Sequence, residues 1–122
     1  MFLKITPVPK PRMTMRDKWA KRPSVVRYFG FCDSLRALGE SISGGDVSLT
    51  FGMPIPKSVS KKKREQLKGN PHLSRPDIDN LIKAVLDALL EEDSHVWKLS
   101  ASKIWSEDGF IIINEPTALE RA

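Results

Sequence analysis

Pro76-Asp77-Ile78-Asp79-Asn80-Leu81-Ile82-Lys83-Ala84-Val85-Leu86-Asp87-Ala88-Leu89-Leu90 is the stretch from which the rest of the chain can be read. Leu81, Val85 and Ala88, with Ile82, Leu86 and Leu89, make a wide apolar face at helical spacing, which predicts a helix over residues 79–90. Asp77 and Asp79 stand at its start, Lys83 follows one turn later, and Glu91, Glu92 and Asp93 arrive where the helix should end. An otherwise basic chain has thus placed its carboxylates together.

Working outward, the spacing of Val25, Phe29, Cys32, Leu35 and Leu38 predicts a second main helix over residues 24–38, bounded by Pro23 and Gly39. Residues 2–5 fit a short strand, ended by the prolines of Pro7-Val8-Pro9-Lys10-Pro11-Arg12, and residues 13–22 read as a basic loop. Val47, Leu49 and Phe51 alternate with Ser48 and Thr50 as in a half-buried strand, which Gly52, Pro54 and Pro56 should stop. Ser60 can cap a short helix carrying Lys61, Lys62, Lys63 and Arg64, and residues 69–75 read as a surface loop. After the acidic cluster, residues 96–105 suit a strand with Trp97, Leu99, Ala101 and Trp105 on one face, the tryptophans expected in the core. Phe110-Ile111-Ile112-Ile113 is apolar on both faces, as expected of a central strand or of one at a subunit contact. The order of elements predicts an α+β fold, one small domain over residues 1–122, with a mixed or antiparallel sheet packed by two main helices.

Composition narrows the partners. The 122 residues, 40% hydrophobic, suffice for one core, and the single Cys32 excludes an internal disulfide and a cysteine zinc cage. With no long apolar run and no leader-like start, a cytoplasmic protein without a membrane partner is expected. The net charge is +5, but residues 1–75 hold 16 Lys or Arg against 5 Asp or Glu, and residues 76–122 hold 4 against 10. Such polarity suits a phosphate-facing part beside an acidic part.

Hydrolysing a phosphodiester at neutral pH requires a nucleophilic water, charge stabilisation on the phosphoryl oxygens and help for the leaving oxygen. Magnesium serves all three needs through one or two carboxylates. Asp77 and Asp79 suit that task, since at a helix start both sit near the positive end of the dipole. A plainer explanation stands beside it: Asp and Asn are favoured N-caps, and Lys83 has the i,i+4 spacing of a surface pair with Asp79. His72 and His95 do not have zinc-ligand spacing, and Asp87 reads as an outward-facing structural or surface residue. On the residues alone, the reading stops at a metal site or a capped helix beside a cationic surface.

The run PDIDNLIKAVLDAL resembles the signature of the RusA-type Holliday junction resolvases, endonucleases that nick four-way DNA junctions. PVPKPR, MPIPKSVSKKKR, His72 and EDSHVWKLSASKIW follow the family's order of segments, so the resemblance covers most of the chain. It implies that Asp77, Asp79 and Asp93 are catalytic carboxylates and metal ligands, with Lys83 as a further catalytic or DNA-contacting residue. The loop before Asp93 is shorter than the family's usual one and Glu92 replaces the first acid of a paired Asp-Asp, so Glu91 or Glu92 could share that role. It also implies magnesium, replaceable by manganese, and a homodimer that resolves branched DNA by paired symmetric nicks in recombination and repair. Phe110-Ile113 is a candidate for part of the dimer contact, with interior packing the competing use. Lys10, Arg12, Lys61, Lys62, Lys63, Arg64 and Arg75 are the expected phosphate contacts, which position DNA rather than read bases. The alternative from another class is a structure-selective branched-DNA or RNA binder without catalysis, distinguished by its indifference to magnesium.

Overall fold

Val47, Leu49 and Phe51 form the middle of β2 (Gly45–Pro54), and all three are buried. The computed structural model describes residues 1–12, 22–39, 42, 45–90 and 93–114; the expected loop at 13–22 lies outside these apart from Arg22. The remaining elements, in chain order, are β1 (Phe2–Leu3) and α1 (Pro23–Leu38) before β2, then α2 (Lys61–Leu67), α3 (Ile78–Leu89), a 3-10 turn at Asp93–His95, β3 (Val96–Ser106) and β4 (Phe110–Ile113). The expected α+β fold with a mixed sheet is what forms. Strand order is β1-β4-β2-β3, with β2 parallel to β3 and antiparallel to β4, and β4 antiparallel to β1. A parallel pair requires a crossover, and α2 and α3 lie within it.

Helices cover one face of the sheet. Leu3, Val47, Leu49, Phe51, Ile111 and Ile113 meet Tyr28, Phe31, Cys32 and Leu35 of α1 and Leu81, Ala84, Val85, Ala88 and Leu89 of α3 in one buried cluster. The α3 positions are a regular i, i+3, i+4, i+7, i+8 stripe; Leu81, Val85, Ala88 and Leu89 are buried as predicted, Ala84 joins them, and Ile82 and Leu86 flank the stripe partly buried. In α1 the buried face is Val25, Tyr28, Cys32 and Leu35, while Phe29 and Leu38 are exposed. Val25, Cys32 and Leu35 of the expected stripe are buried as predicted, but Tyr28 and Phe31 take the places of Phe29 and Leu38, because α1 has apolar residues on most sides and periodicity cannot choose among them. No basic side chain lies in the last turn of α3; Arg36 of α1 satisfies its end instead, donating to the carbonyls of Ala88 (2.9 Å) and Asp87 (3.3 Å).

Three local expectations are corrected. Gly52 does not stop β2, which runs on to end at Pro54, as expected of that proline. Gly52 serves a close approach: a Cβ there would lie 2.2 Å from the ring of Phe110, which crosses over it on the open sheet face and stacks on Phe2 at 5.5 Å. Residues 69–75 are not a simple surface loop, since Asn70 and His72 hydrogen-bond along the outer edge of β3 through Trp105 and Lys103, and His72 is buried. Trp97 is not in the core but 77% exposed, while Trp105 is half-buried beside His72. Phe110–Ile113 is a central strand, as one of its two readings had it.

Substituting Gly52→Ala should lower stability by about 1–3 kcal/mol, the usual cost of overpacking a filled site. Urea unfolding checks this, and an unchanged midpoint would mean that the Phe110 ring is free to swing away.

Candidate active site

Prolines 7, 9 and 11 give the segment 6–12 few amide donors and an extended course. Its backbone is nevertheless anchored, because the Lys10 amide donates to the Asn80 carbonyl at 3.0 Å. This holds the segment against the first turn of α3 and leaves a cleft of about 730 Å³, lined by residues including Lys10, Arg12, Arg27, Arg75, Asp77 and Asn80. A second depression of about 510 Å³ shares Lys10, Arg12 and Asn80 and adds Lys83, so the cleft continues along α3. Asp77 therefore opens into a concave surface whose other charged walls are cationic, a geometry that draws in phosphate.

Asp77 occupies the N-cap position with extended backbone (φ −68°, ψ 143°), yet its side chain makes no capping hydrogen bond. Its exposed carboxylate keeps its acceptor positions, and the positive end of α3 lies beside it. Asp79 is also exposed and pairs with Lys83 at 3.9 Å, a surface contact worth only about 0.2–0.5 kcal/mol. Two carboxylates and a lysine are thus grouped at one helix end without being consumed by structural bonding. Hard oxygen donors of this kind suit magnesium rather than zinc.

The start of α3 is fixed from the sheet side. Lys103 of β3 donates to the carbonyls of Ser74 (2.6 Å) and Pro76 (2.7 Å), immediately before Asp77. Further along α3, Asp87 does not face outward as expected. Its carboxylate accepts the Tyr28 hydroxyl at 2.7 Å and pairs with Lys10 at 2.6 Å. Burial, and then the bond to Asp87, push the Tyr28 hydroxyl well above its ordinary pKa.

The other nominated cations are placed in different ways. Arg12 and Arg75 line the cleft, and Lys10 lines it while paired to Asp87. Lys61, Lys62 and Lys63 are exposed on α2, whose Ser60 cap forms as expected, accepting from the Lys63 amide at 3.3 Å. Arg64 turns inward, donating to Glu107 (3.2 Å) and the Pro56 carbonyl (2.9 Å), which ties α2 to the body. Arg27 is a cleft residue that the sequence reading missed. Its position depends on how α1 packs, which no local pattern reveals.

Asp93 is not brought to Asp77 and Asp79 within one protomer. The twelve residues of α3 rise by about 18 Å, and Asp93 follows the far end. Leu90 bridges Ile42 and Val96 pairs with Gly45 at that end, whereas Lys103 reaches Pro76 at the other. Val96 and Lys103 are separated by about 23 Å of extended strand. The grouping of Asp93 with Asp77 and Asp79 that the resemblance implies does not form within one protomer, because α3 is regular to its end and the Asp93–His95 turn leads into β3 on that same side. Glu91, Glu92 and the side chain of Asp93 lie outside the described residues. Among those described, no three His, Cys, Asp or Glu side chains cluster as a metal site would require.

Comparison with known proteins decides the family. The model of the family described as endodeoxyribonuclease RusA matches residues 37–114, more than half of the chain. The chain belongs to the RusA endodeoxyribonuclease family. The match contains Asp77, Asp79, Lys83 and Asp93 and leaves Lys10 and Arg12 outside. The chain is also similar to YqaN of Bacillus subtilis (strain 168), an uncharacterized protein, at 40% identity over 79 residues. That similarity covers 57% of this chain and 56% of YqaN, so the chain spans little more than half of that relative. No solved structure matches. Among the described residues, no helix is long and apolar enough to cross a membrane.

In this RusA-family chain, His72 links the edge of β3 to the site. Its amide bonds the Lys103 carbonyl at 3.0 Å, its ring lies 4.3 Å from that of Trp105, and its buried Nδ1 has no hydrogen-bond partner among the described residues. Burial, and then the Lys103 ammonium, hold the imidazole below its ordinary value of 6.5. The unfolded chain therefore takes up this proton first as pH falls through 6.5, and stability is lost from there down towards the folded value. Between pH 7.5 and 5.5 thermal unfolding should show wild type losing stability more steeply than His72→Leu, by at most about 1.4 kcal/mol per pH unit. Parallel curves would mean that His72 protonates in the fold at no cost.

Proposed function

We propose that this protein is a magnesium-dependent endodeoxyribonuclease that resolves four-way junctions and related branched DNA by paired symmetric nicks, serving recombination and repair. The observation that supports it most is the Asp77 carboxylate, uncommitted to capping, at a helix N-terminus inside a cleft otherwise walled by Lys10, Arg12, Arg27 and Arg75. Membership of an endodeoxyribonuclease family agrees with it.

In this reading Asp77 and Asp79 hold the cation, which manganese can replace. When bound, magnesium supplies an acidified water and neutralises charge on the phosphoryl oxygens. The chain does the rest. Arg12 and Arg75 seat the DNA backbone along the cleft, with the exposed Lys61, Lys62 and Lys63 as outlying phosphate contacts and Arg64 holding their helix in place. Lys83, only loosely paired with Asp79, turns its ammonium to a phosphoryl oxygen as charge develops there. Lys103 and Asn80 keep the first turn of α3 from shifting, so the carboxylates stay aligned without rearrangement. A junction presents two equivalent strands, and a two-fold dimer presents two equivalent sites to them.

The test is cleavage of a labelled four-way junction, with linear duplex as control. Wild type should nick two symmetry-related strands in magnesium and stop in chelator, and Asp79→Asn should bind the junction yet nick it at least about 100-fold more slowly. Tight binding with no nicking in any divalent metal would make the protein a structure-selective binder and reduce the aspartates to helix-terminal charges.

A further inference from the structure

Leu73 is the most exposed large apolar side chain among the described residues, at 89%. Its backbone, however, is held from both sides. Before it, Pro71 bridges Ile104, the His72 amide donates to the Lys103 carbonyl at 3.0 Å, and the buried His72 ring lies 4.3 Å from that of Trp105. After it, the Lys103 ammonium donates to the carbonyls of Ser74 at 2.6 Å and Pro76 at 2.7 Å. One residue of β3 thus fixes the chain on either side of Leu73, with its carbonyl and with its side chain, and leaves the leucine standing in solvent between the two anchors. A leucine in that position adds nothing by burial to the stability of the free protein.

Its surroundings indicate what it meets. Leu73 precedes Asp77 by four residues, so their Cα atoms are at most about 14 Å apart, a span of no more than about four nucleotides along a strand. Arg75 lies between them and lines the cationic cleft, and α2 with its exposed Lys61, Lys62 and Lys63 comes just before the segment. An apolar tip set among phosphate-seeking cations matches DNA, in which apolar base faces lie between charged strands.

We propose that Leu73 is a wedge that enters the branch point of the DNA, packs against a base face opened there, and so determines the preference for branched over linear substrates. In linear duplex every base pair is stacked on both faces within two continuous strands, and a wedge must first part such a step. Across a branch at most one of the two strands runs on unbroken, so the step there parts at smaller cost. The bracing by His72 and Lys103 matters for the same reason. A wedge on a slack loop would fold back onto the protein, whereas one held in place by its backbone loses little freedom on entering the stack.

This inference rests on the branched-DNA part of the proposed function and not on nicking, so its test is run in chelator, where no strand is cut. The probe is a four-way junction with a fixed branch point and the fluorescent base analogue 2-aminopurine beside the crossover, with a linear duplex carrying the same base as control. Wild type should bind the junction more tightly than the duplex and, at saturation, raise the junction's fluorescence as the analogue loses its stacking. Leu73→Ala should lower the ratio of junction to duplex affinity about tenfold, the loss expected when most of a buried leucine side chain is removed. It should also remove most of the fluorescence rise at saturating protein, with an unchanged melting temperature, because the side chain is solvated in the free protein. Leu73→Phe keeps an apolar wedge and should retain both properties. A Leu73→Ala protein that keeps the junction preference or the full fluorescence rise overturns the wedge, and so does a Leu73→Phe protein that retains neither. A wild type that binds junction and duplex alike removes the branched-DNA reading and the wedge with it. A wild type that prefers the junction but nicks nothing in magnesium removes only the nuclease reading, and the fluorescence still decides the role of Leu73.

Discussion

The Asp87 carboxylate ties together three pieces of chain that share no local sequence relationship. It accepts the Tyr28 hydroxyl from α1, pairs with Lys10 of the proline-rich segment, and is itself part of α3. Hydrogen bonds to a charged group are worth more than neutral ones, about 1.5–3 kcal/mol each, and this pair is only about one-third exposed. Without it the 6–12 segment would keep one backbone bond to α3 and the cleft would lose a wall. The proline-rich wall of the cationic groove depends on that one acid.

Charge is thus divided by use. Acids and bases that hold the fold are paired with one another: Asp87 with Lys10, and Glu107 with Arg64 and Lys68 at α2, where the Lys68 ammonium holds the Glu107 carboxyl below its usual range. Asp77, Asp79, Lys83 and Arg75 are left to solvent. Exposed charges at a helix start add little stability, which makes their grouping there more telling of chemistry than of folding.

Much of this was legible from residues alone. α3 was found because its apolar face recurs regularly at helical spacing, and β2 because Val47, Leu49 and Phe51 alternate with polar residues. The hidden parts are those decided by tertiary packing. Residues apolar on most sides of α1 concealed its buried face. Gly52 reads as a strand breaker until Phe110 is seen lying across it. Trp97 reads as core because hydrophobicity does not report that its strand lies at a sheet edge. Asp93 was placed near Asp77 by resemblance, and the unbroken length of α3 separates them in a single protomer.

The central claim is that Asp77 and Asp79 form a divalent-cation site at the start of α3. Its most direct test is the anomalous difference density of crystals grown with manganese. The account predicts a peak within coordination distance of both carboxylates, at the mouth of the cleft. Density elsewhere, or none at Asp77 and Asp79 in a protein that cleaves junctions in manganese, would contradict it.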